Sequence, residues 1–397
     1  MAFVHIKIKD LRPGMYIVQT GESWRDKPFL YAKPGLIKTE AEVADIVRQG
    51  FQETYYDPEQ SQLTQKDEPE RFNRPVPPLP EPTATLKEEL LLQEESYANC
   101  VGHIQHIMEE ARNGRLDFNS AKPFMQGIIQ SINRNADALT SLAKIKSHDE
   151  YTYAHCVNVS IFSVAFGRYL GLSEESLLEL GLSGLFHDVG KMRMPLAILN
   201  APRKLSDEEF FVMQKHVLFG EEMLAQIPGM PSDIMDGVVD HHERFNGSGY
   251  PHKKKGTSIS SFGCILSVCD VYDALSSRRV YKEPIPPSKA LSIMYGMRGE
   301  SWEPGLVELF IKMLGIYPVG TPISLTSGFK GVVTRSNPAA PLYPTVAVCQ
   351  DRKGLNISPP TSIDLAQQHD FQIIKPLEMK TVDFDVLSLL KDAKPLP

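Results

Sequence analysis

Five of the chain's eleven histidines, His155, His187, His216, His241 and His242, stand in one stretch of sequence with the carboxylates of Asp188 and Asp270. Imidazole and carboxylate without thiolate favour iron, manganese, zinc or nickel over a sulfur-bound centre. An Asp carboxylate has two oxygens and can bridge two ions, and two ions ~3.5–4 Å apart can lower the pKa of a shared water, orient it in line and neutralise charge on a phosphoryl oxygen. Taken singly, each histidine is more often a core or surface residue. Seven such residues in this order predict a hydrolytic metal centre. His148-Asp149 is a second His-Asp pair, but it lacks the Gly190-Lys191 that follows His187-Asp188, and no role is expected of it.

These residues must be held by helices. His187-Asp188 ends the apolar stretch LLELGLSGLF, and apolar residues recur at helical spacing through the 150s to about residue 310. Before that, Thr85 with Glu88 marks a helix start, the apolar series Leu86, Leu90, Tyr97, Val101, Ile104, Met108, Ala111 forms one stripe, and Asn113-Gly114 ends it. This stripe can pack on its own domain or on its counterpart in a homodimer. A second helix carries Phe124, Ile128, Ile132, Leu139 and Leu142. Gly247, Gly249 and Pro251 shape a loop after the histidine pair. The run His252-Lys253-Lys254-Lys255 beyond it reads as solvated surface that could steer an anion.

The flanks differ. Residues 1–57 read as a small β-rich module with one helix, in which Thr39 and Glu42 have capping-box spacing and Gly50 can close the helix. Residues 58–83 carry five prolines between Pro75 and Pro82 and read as a semi-rigid linker. Residues 84–318 form the helical domain. Residues 319–397 return to short apolar runs, at 323–325, 331–334, 345–349 and 371–374, as a β-rich C-terminal module. The expected fold is thus multidomain: a central all-α domain flanked by two small β-rich modules.

Composition narrows the function. With 397 residues, 42% apolar and 23% charged, the chain is neither disordered nor fibrous, and a net charge of −7 gives no global attraction to a nucleic-acid polymer or an anionic membrane. No run approaches the ~20 apolar residues of a membrane span, and the opening MAFVHIKIKDLRPG is unlike a secretory signal, so a cytoplasmic protein is expected. Five scattered cysteines without a CxxC pair predict reduced, buried thiols.

The segments His187-Asp188-Val189-Gly190-Lys191 and His241-His242-Glu243-Arg244-Phe245-Asn246-Gly247-Ser248-Gly249-Tyr250-Pro251 resemble the two signatures of the HD-GYP family, the bacterial branch of the HD metal-dependent phosphohydrolases that degrades cyclic diguanylate. Asp270-Val271-Tyr272-Asp273-Ala274-Leu275 with Arg279, Tyr281 and Lys282 matches a third block, and the likeness spans roughly 120–318. The resemblance implies that His187, Asp188 and Asp270 hold one metal with His155 nearby, and that Asp188 bridges to a second held by His216, His241 and His242. Iron or manganese is expected, with zinc, nickel or magnesium as alternatives. It implies that Lys191, Arg279 and Lys282 bind substrate phosphates, that Tyr250 contacts substrate or orders its loop, and that Asp273 orients a ligand or the attacking water. The implied activity is hydrolysis of cyclic di-GMP to pGpG or GMP by a metal-bridged hydroxide. Alternatives are a receptor that binds without turnover, or the same chemistry on another cyclic dinucleotide. A diguanylate cyclase docking on the Gly-Tyr-Pro loop is a further implied partner. Four positions depart from the pattern. Tyr151 stands where some members have a metal-binding glutamate, so two metals are expected rather than three. Arg278 and Val280 replace an aspartate and a proline, and Asn246 replaces an aspartate.

Overall fold

The computed structural model describes residues 3–18, 30–58, 60–61, 71–72, 76, 79–146, 151–277, 284–337, 340–368 and 370–392. Two units result, Met1–Asn73 and Arg74–Pro397. The first comprises β1 (Val4–Lys7), β2 (Tyr16–Ile17), β3 (Leu30–Tyr31), β4 (Gly35–Leu36), helix α1 (Glu40–Arg48) and β5 (Glu53–Tyr56). The strands order as β1-β5-β2-β4, antiparallel, with β3 running parallel to β5. Alternation along β1 sends Ile6 inward to join Leu11, Met15, Ile17, Ile37, Ile46 and Tyr56 in one core. Thr39 Oγ1 caps α1 by accepting from the Glu42 N–H at 3.3 Å, and Gly50 follows the helix at φ +85°. In the proline-rich stretch, Phe72 is buried and Ser61 Oγ accepts from the Tyr16 N–H.

The second unit opens with α2 (Leu86–Arg112), α3 (Lys122–Ile145), α4 (Tyr151–Tyr169) and α5 (Glu174–Phe186). Thr85 and Glu88 form the reciprocal cap that their spacing predicts, with bonds of 3.2 and 2.9 Å. α3 bends at Asn135, whose backbone is extended (φ −161°, ψ 101°). Its side chain accepts from the Asp137 N–H and donates to the Ala84 carbonyl, restoring bonds that the break removes. α4 is buried on every side, with Val157, Ile161, Phe162, Val164 and Phe166 all in the core. After a 3-10 turn at Val189–Arg193 come α6 (Leu196–Leu199), α7 (Asp207–Gln214), α8 (His216–Leu224), α9 (Ser232–Asp240), α10 (Ser261–Ser276), α11 (Pro287–Gly296) and α12 (Leu306–Leu314). α4 packs on α3, α5 and α10, while α9 packs on α5 and α10, so helix ends carrying histidine and aspartate meet on one side of the bundle.

The C-terminal residues form a five-stranded antiparallel sheet from β6 (Pro322–Leu325), β7 (Lys330–Arg335), β8 (Thr345–Gln350), β9 (Asn356–Asp364) and β10 (Ile373–Pro376), in the order β10-β6-β7-β8-β9. A last helix, α13 (Val386–Asp392), returns against α2. The multidomain arrangement of a helical domain between β-rich segments is therefore observed. β9 was not legible because Pro359 and Pro360 argue against a strand; it lies at the sheet edge, where missing donors cost least. All five cysteines are free and buried. Among the described residues, no helix is long and apolar enough to cross a membrane.

One half-buried ion pair ties α2 to α3. Arg134 grips Glu89 through two bonds of 2.8 and 2.9 Å, and the Glu89 side chain is 0% exposed. Burial alone would raise the Glu89 carboxyl, but Arg134 outweighs it and holds the group below its ordinary range. Arg134→Met should lower unfolding free energy at pH 7 by about 2 kcal/mol, between the values for exposed and fully buried pairs. A depressed carboxylate pKa contributes stability above its unfolded value, and the contribution is lost as pH falls through the folded value. Urea unfolding of the two proteins should therefore show the gap narrowing as pH falls below 4.5, the ordinary glutamate value.

Candidate metal centre

Three histidines share one local device. His187 follows the last turn of α5, His216 opens α8 just after α7, and His241 follows α9. In each, ring Nδ1 bonds the carbonyl three residues back: Gly184 at 2.7 Å, Met213 at 2.8 Å and Val238 at 2.6 Å. A carbonyl only accepts, so each Nδ1 must carry a proton, and each ring in its neutral form presents its lone pair at Nε2. These three Nε2 atoms and Asp188 Oδ1 are buried, and none makes a hydrogen bond. His216 Nε2 nevertheless faces Asp188 Oδ1 at 3.2 Å, and His187 Nε2 faces Asp188 Oδ2 at 3.3 Å. Lone pairs aimed at lone pairs in a dry site require positive charge between them. Burial and the neighbouring His187 and His216 push His241 down to about 3, so protonating that ring does not supply it.

Two groups of potential ligands emerge, each with its atoms within 4.8 Å of one another: His155, His187 and Asp188 in one, and Asp188, His216, His241 and His242 in the other. Asp188 is common to both. Asp270, on α10, lies beside the first group, with Oδ1 3.2 Å from His155 Nε2, and its Oδ2 is 3.9 Å from His242 Nδ1. All seven residues predicted as ligands therefore converge. Burial alone would raise the Asp188 carboxyl, but Lys191 and His187 hold it well below the usual range, and His155 does the same for Asp270. Burial would lower His155, yet hydrogen bonds to Asp270 and Asp273 raise it to about 9. The donor set fits divalent cations: hard carboxylates, imidazoles in one tautomer, and no thiolate.

Lys191 lies in the 3-10 turn rather than on an extension of α5, and its ammonium contacts Asp188 Oδ2. Tyr250 stacks on His242, with ring centroids 4.7 Å apart, and meets the edge of the exposed Phe210 at 6.3 Å. Gly249 admits this loop: a Cβ there would lie 2.4 Å from the Arg244 nitrogen and 2.5 Å from Glu243 Cα. Glu243 Oε1 accepts from the His252 N–H at 2.7 Å and pins the loop exit. Lys254 is not simply solvated surface, since its ammonium pairs with the buried Asp240 at 2.7 Å. Asp273 belongs to neither group of potential ligands but bonds His155 of the first group at 2.6 Å, and its other oxygen accepts from Asn158 and Ser277. Of the two duties expected of it, this contact bears on the orientation of His155. Sequence reasoning missed Asn158 and Ser277, one helical turn from His155 and Asp273, where that spacing was the available signal. Arg279 and Lys282 lie outside the described residues.

Residues 129–306 match the HD domain family, residues 4–118 a domain of unknown function, and residues 323–384 a KOW domain associated with the HD domain. A cyclic di-GMP phosphodiesterase of Pseudomonas aeruginosa is 32% identical over 91% of this chain and 89% of its own length. A 3'3'-cGAMP-specific phosphodiesterase of Vibrio cholerae is 32% identical over 42% of this chain and 32% of its own. Among solved structures, a HDG"Y"P protein of Bdellovibrio bacteriovorus aligns with 79% of this chain and 99% of its own at TM-score 0.48 and 16% identity. With a relative matched along nine-tenths of the sequence, and with His187-Asp188 and the Gly249-Tyr250-Pro251 loop brought to one centre, the chain belongs to the HD-GYP family of HD-domain phosphodiesterases.

Proposed function

We propose that this protein hydrolyses cyclic di-GMP, opening the ring to pGpG and cutting the linear product to GMP. The observation that carries the reading is the approach of the buried His187 and His216 Nε2 atoms to the two oxygens of Asp188, with His241 and His242 in the same cluster. The substrate follows from the full-length relative, named for that activity. Two divalent ions, iron or manganese, would be held by His155, His187, Asp188 and Asp270 on one side and by Asp188, His216, His241 and His242 on the other. Bound there, they supply a water of lowered pKa and neutralise charge on the phosphoryl oxygens.

The chain's own groups do the rest. Lys191 balances Asp188 and is placed to shift its ammonium to a substrate phosphate. Arg279 and Lys282 add a guanidinium fork and a second ammonium for the same oxygens. Tyr250 stands against His242 with its hydroxyl pKa raised by burial, so it is a donor at neutral pH. Separating the nucleotides after incubating anaerobically purified protein with cyclic di-GMP and with 3'3'-cGAMP tests this. Faster loss of cyclic di-GMP with pGpG appearing before GMP is expected. Preferential loss of 3'3'-cGAMP would reassign the substrate, and tight binding without turnover after iron or manganese loading would make the protein a receptor.

A further inference from the structure

Behind His155 lies a row of buried groups whose hydrogen-bond directions are fixed. Asp273 Oδ2 lies 2.6 Å from His155 Nδ1, while Oδ1 takes the Asn158 amide at 3.0 Å and the Ser277 hydroxyl at 2.9 Å. A carboxylate offers only acceptors, so Asn158 must turn its NH2 toward Asp273 and its carbonyl away. That carbonyl meets the Tyr97 hydroxyl at 2.8 Å, and Tyr97 must be the donor. Protons thus point from Tyr97 to Asn158, from Asn158 to Asp273, and from His155 Nδ1 to Asp273. His155 is left to present Nε2 toward Asp270 and Asp188, at 3.2 and 3.9 Å. Tyr97, Asn158 and Asp273 are all buried.

Tyr97 sits on α2, within the stretch matched to a domain of unknown function and upstream of the matched HD domain. In the sequence it belongs to a helical stripe of core residues; in the structure its ring is buried and its hydroxyl donates to Asn158. We propose that Tyr97 is a positioning residue for that centre: acting through Asn158 and Asp273, it fixes the tautomer and orientation with which His155 takes a metal ion. Helix α2 thereby completes the position formed by His155, His187 and Asp188, an inference that rests on the metal-dependent reading above. Groups that orient a metal ligand from behind are worth about 10- to 100-fold in affinity or activity.

The test is a cobalt(II) titration of the full-length, chelator-stripped protein, followed by visible absorption. Tyr97→Phe keeps the ring and removes only the hydroxyl. Affinity at the His155 position should fall about tenfold, the lower end for such groups, while the position formed by His216, His241 and His242 is unchanged. In an Asp273→Asn background, Tyr97→Phe should add less than about twofold, because its route to His155 is already broken. Unchanged isotherms, equal weakening at both positions, or a full additive effect in the Asp273→Asn background would each overturn the assignment. Failure of the unmodified protein to bind cobalt at all would instead overturn the metal reading itself.

Discussion

Asp188→Asn is expected to reduce hydrolysis of cyclic di-GMP by about a thousandfold and to strip bound metal. Asp188 is the one residue common to both groups of ligand atoms, and its two oxygens face His216 and His187 at 3.2 and 3.3 Å. An asparagine supplies one oxygen and one NH2. Its charge is gone, and its amide protons can bond the lone pair of a neighbouring imidazole, capping the atom a cation would use. Loss of several kcal/mol of charge stabilisation corresponds to about three powers of ten in rate. Metal analysis and a single-turnover assay on the same preparation check this. An asparagine variant with full metal content and full turnover would remove Asp188 from the centre.

Gly190→Ala should be the most damaging substitution outside the ligands. A Cβ at 190 would lie 1.9 Å from the His216 carbonyl oxygen and 2.4 Å from the Gly220 nitrogen, both main-chain atoms that cannot swing aside. The 3-10 turn after Asp188 lies against α8 only because residue 190 has no side chain. Forcing them apart moves Asp188 and His216 away from each other, so folding and metal binding fail together. Overpacking of this kind costs about 3 kcal/mol or more. Urea unfolding in the presence of chelator isolates the steric cost from metal release, and an alanine variant as stable as the parent would contradict the observed approach of the turn to α8.

The seven residues that converge were legible in the sequence because imidazole and carboxylate in that order have few other uses, and helix ends at Thr39 and Thr85 were legible from their capping partners. What was not legible depends on contacts between elements. The bend in α3 comes from Asn135 reaching back to Ala84, a bond with no local signature. Lys254 looked like part of a solvated run, but the fold brings it to a buried aspartate. The common orientation of His187, His216 and His241 arises from carbonyls three residues back, which becomes visible only once each histidine is known to follow a helical turn. Tyr97 read as one apolar position among seven, and nothing in its spacing announces where its hydroxyl ends.

The most direct test of the central claim is metal content per chain after anaerobic purification, by elemental analysis, for the parent protein beside His216→Ala and His155→Ala. About two equivalents of iron or manganese in the parent, with each variant losing about one, is the predicted result. A parent protein that retains no divalent metal, even after loading with iron or manganese, would contradict the account, because the lone pairs around Asp188 would then be held together by something other than cations.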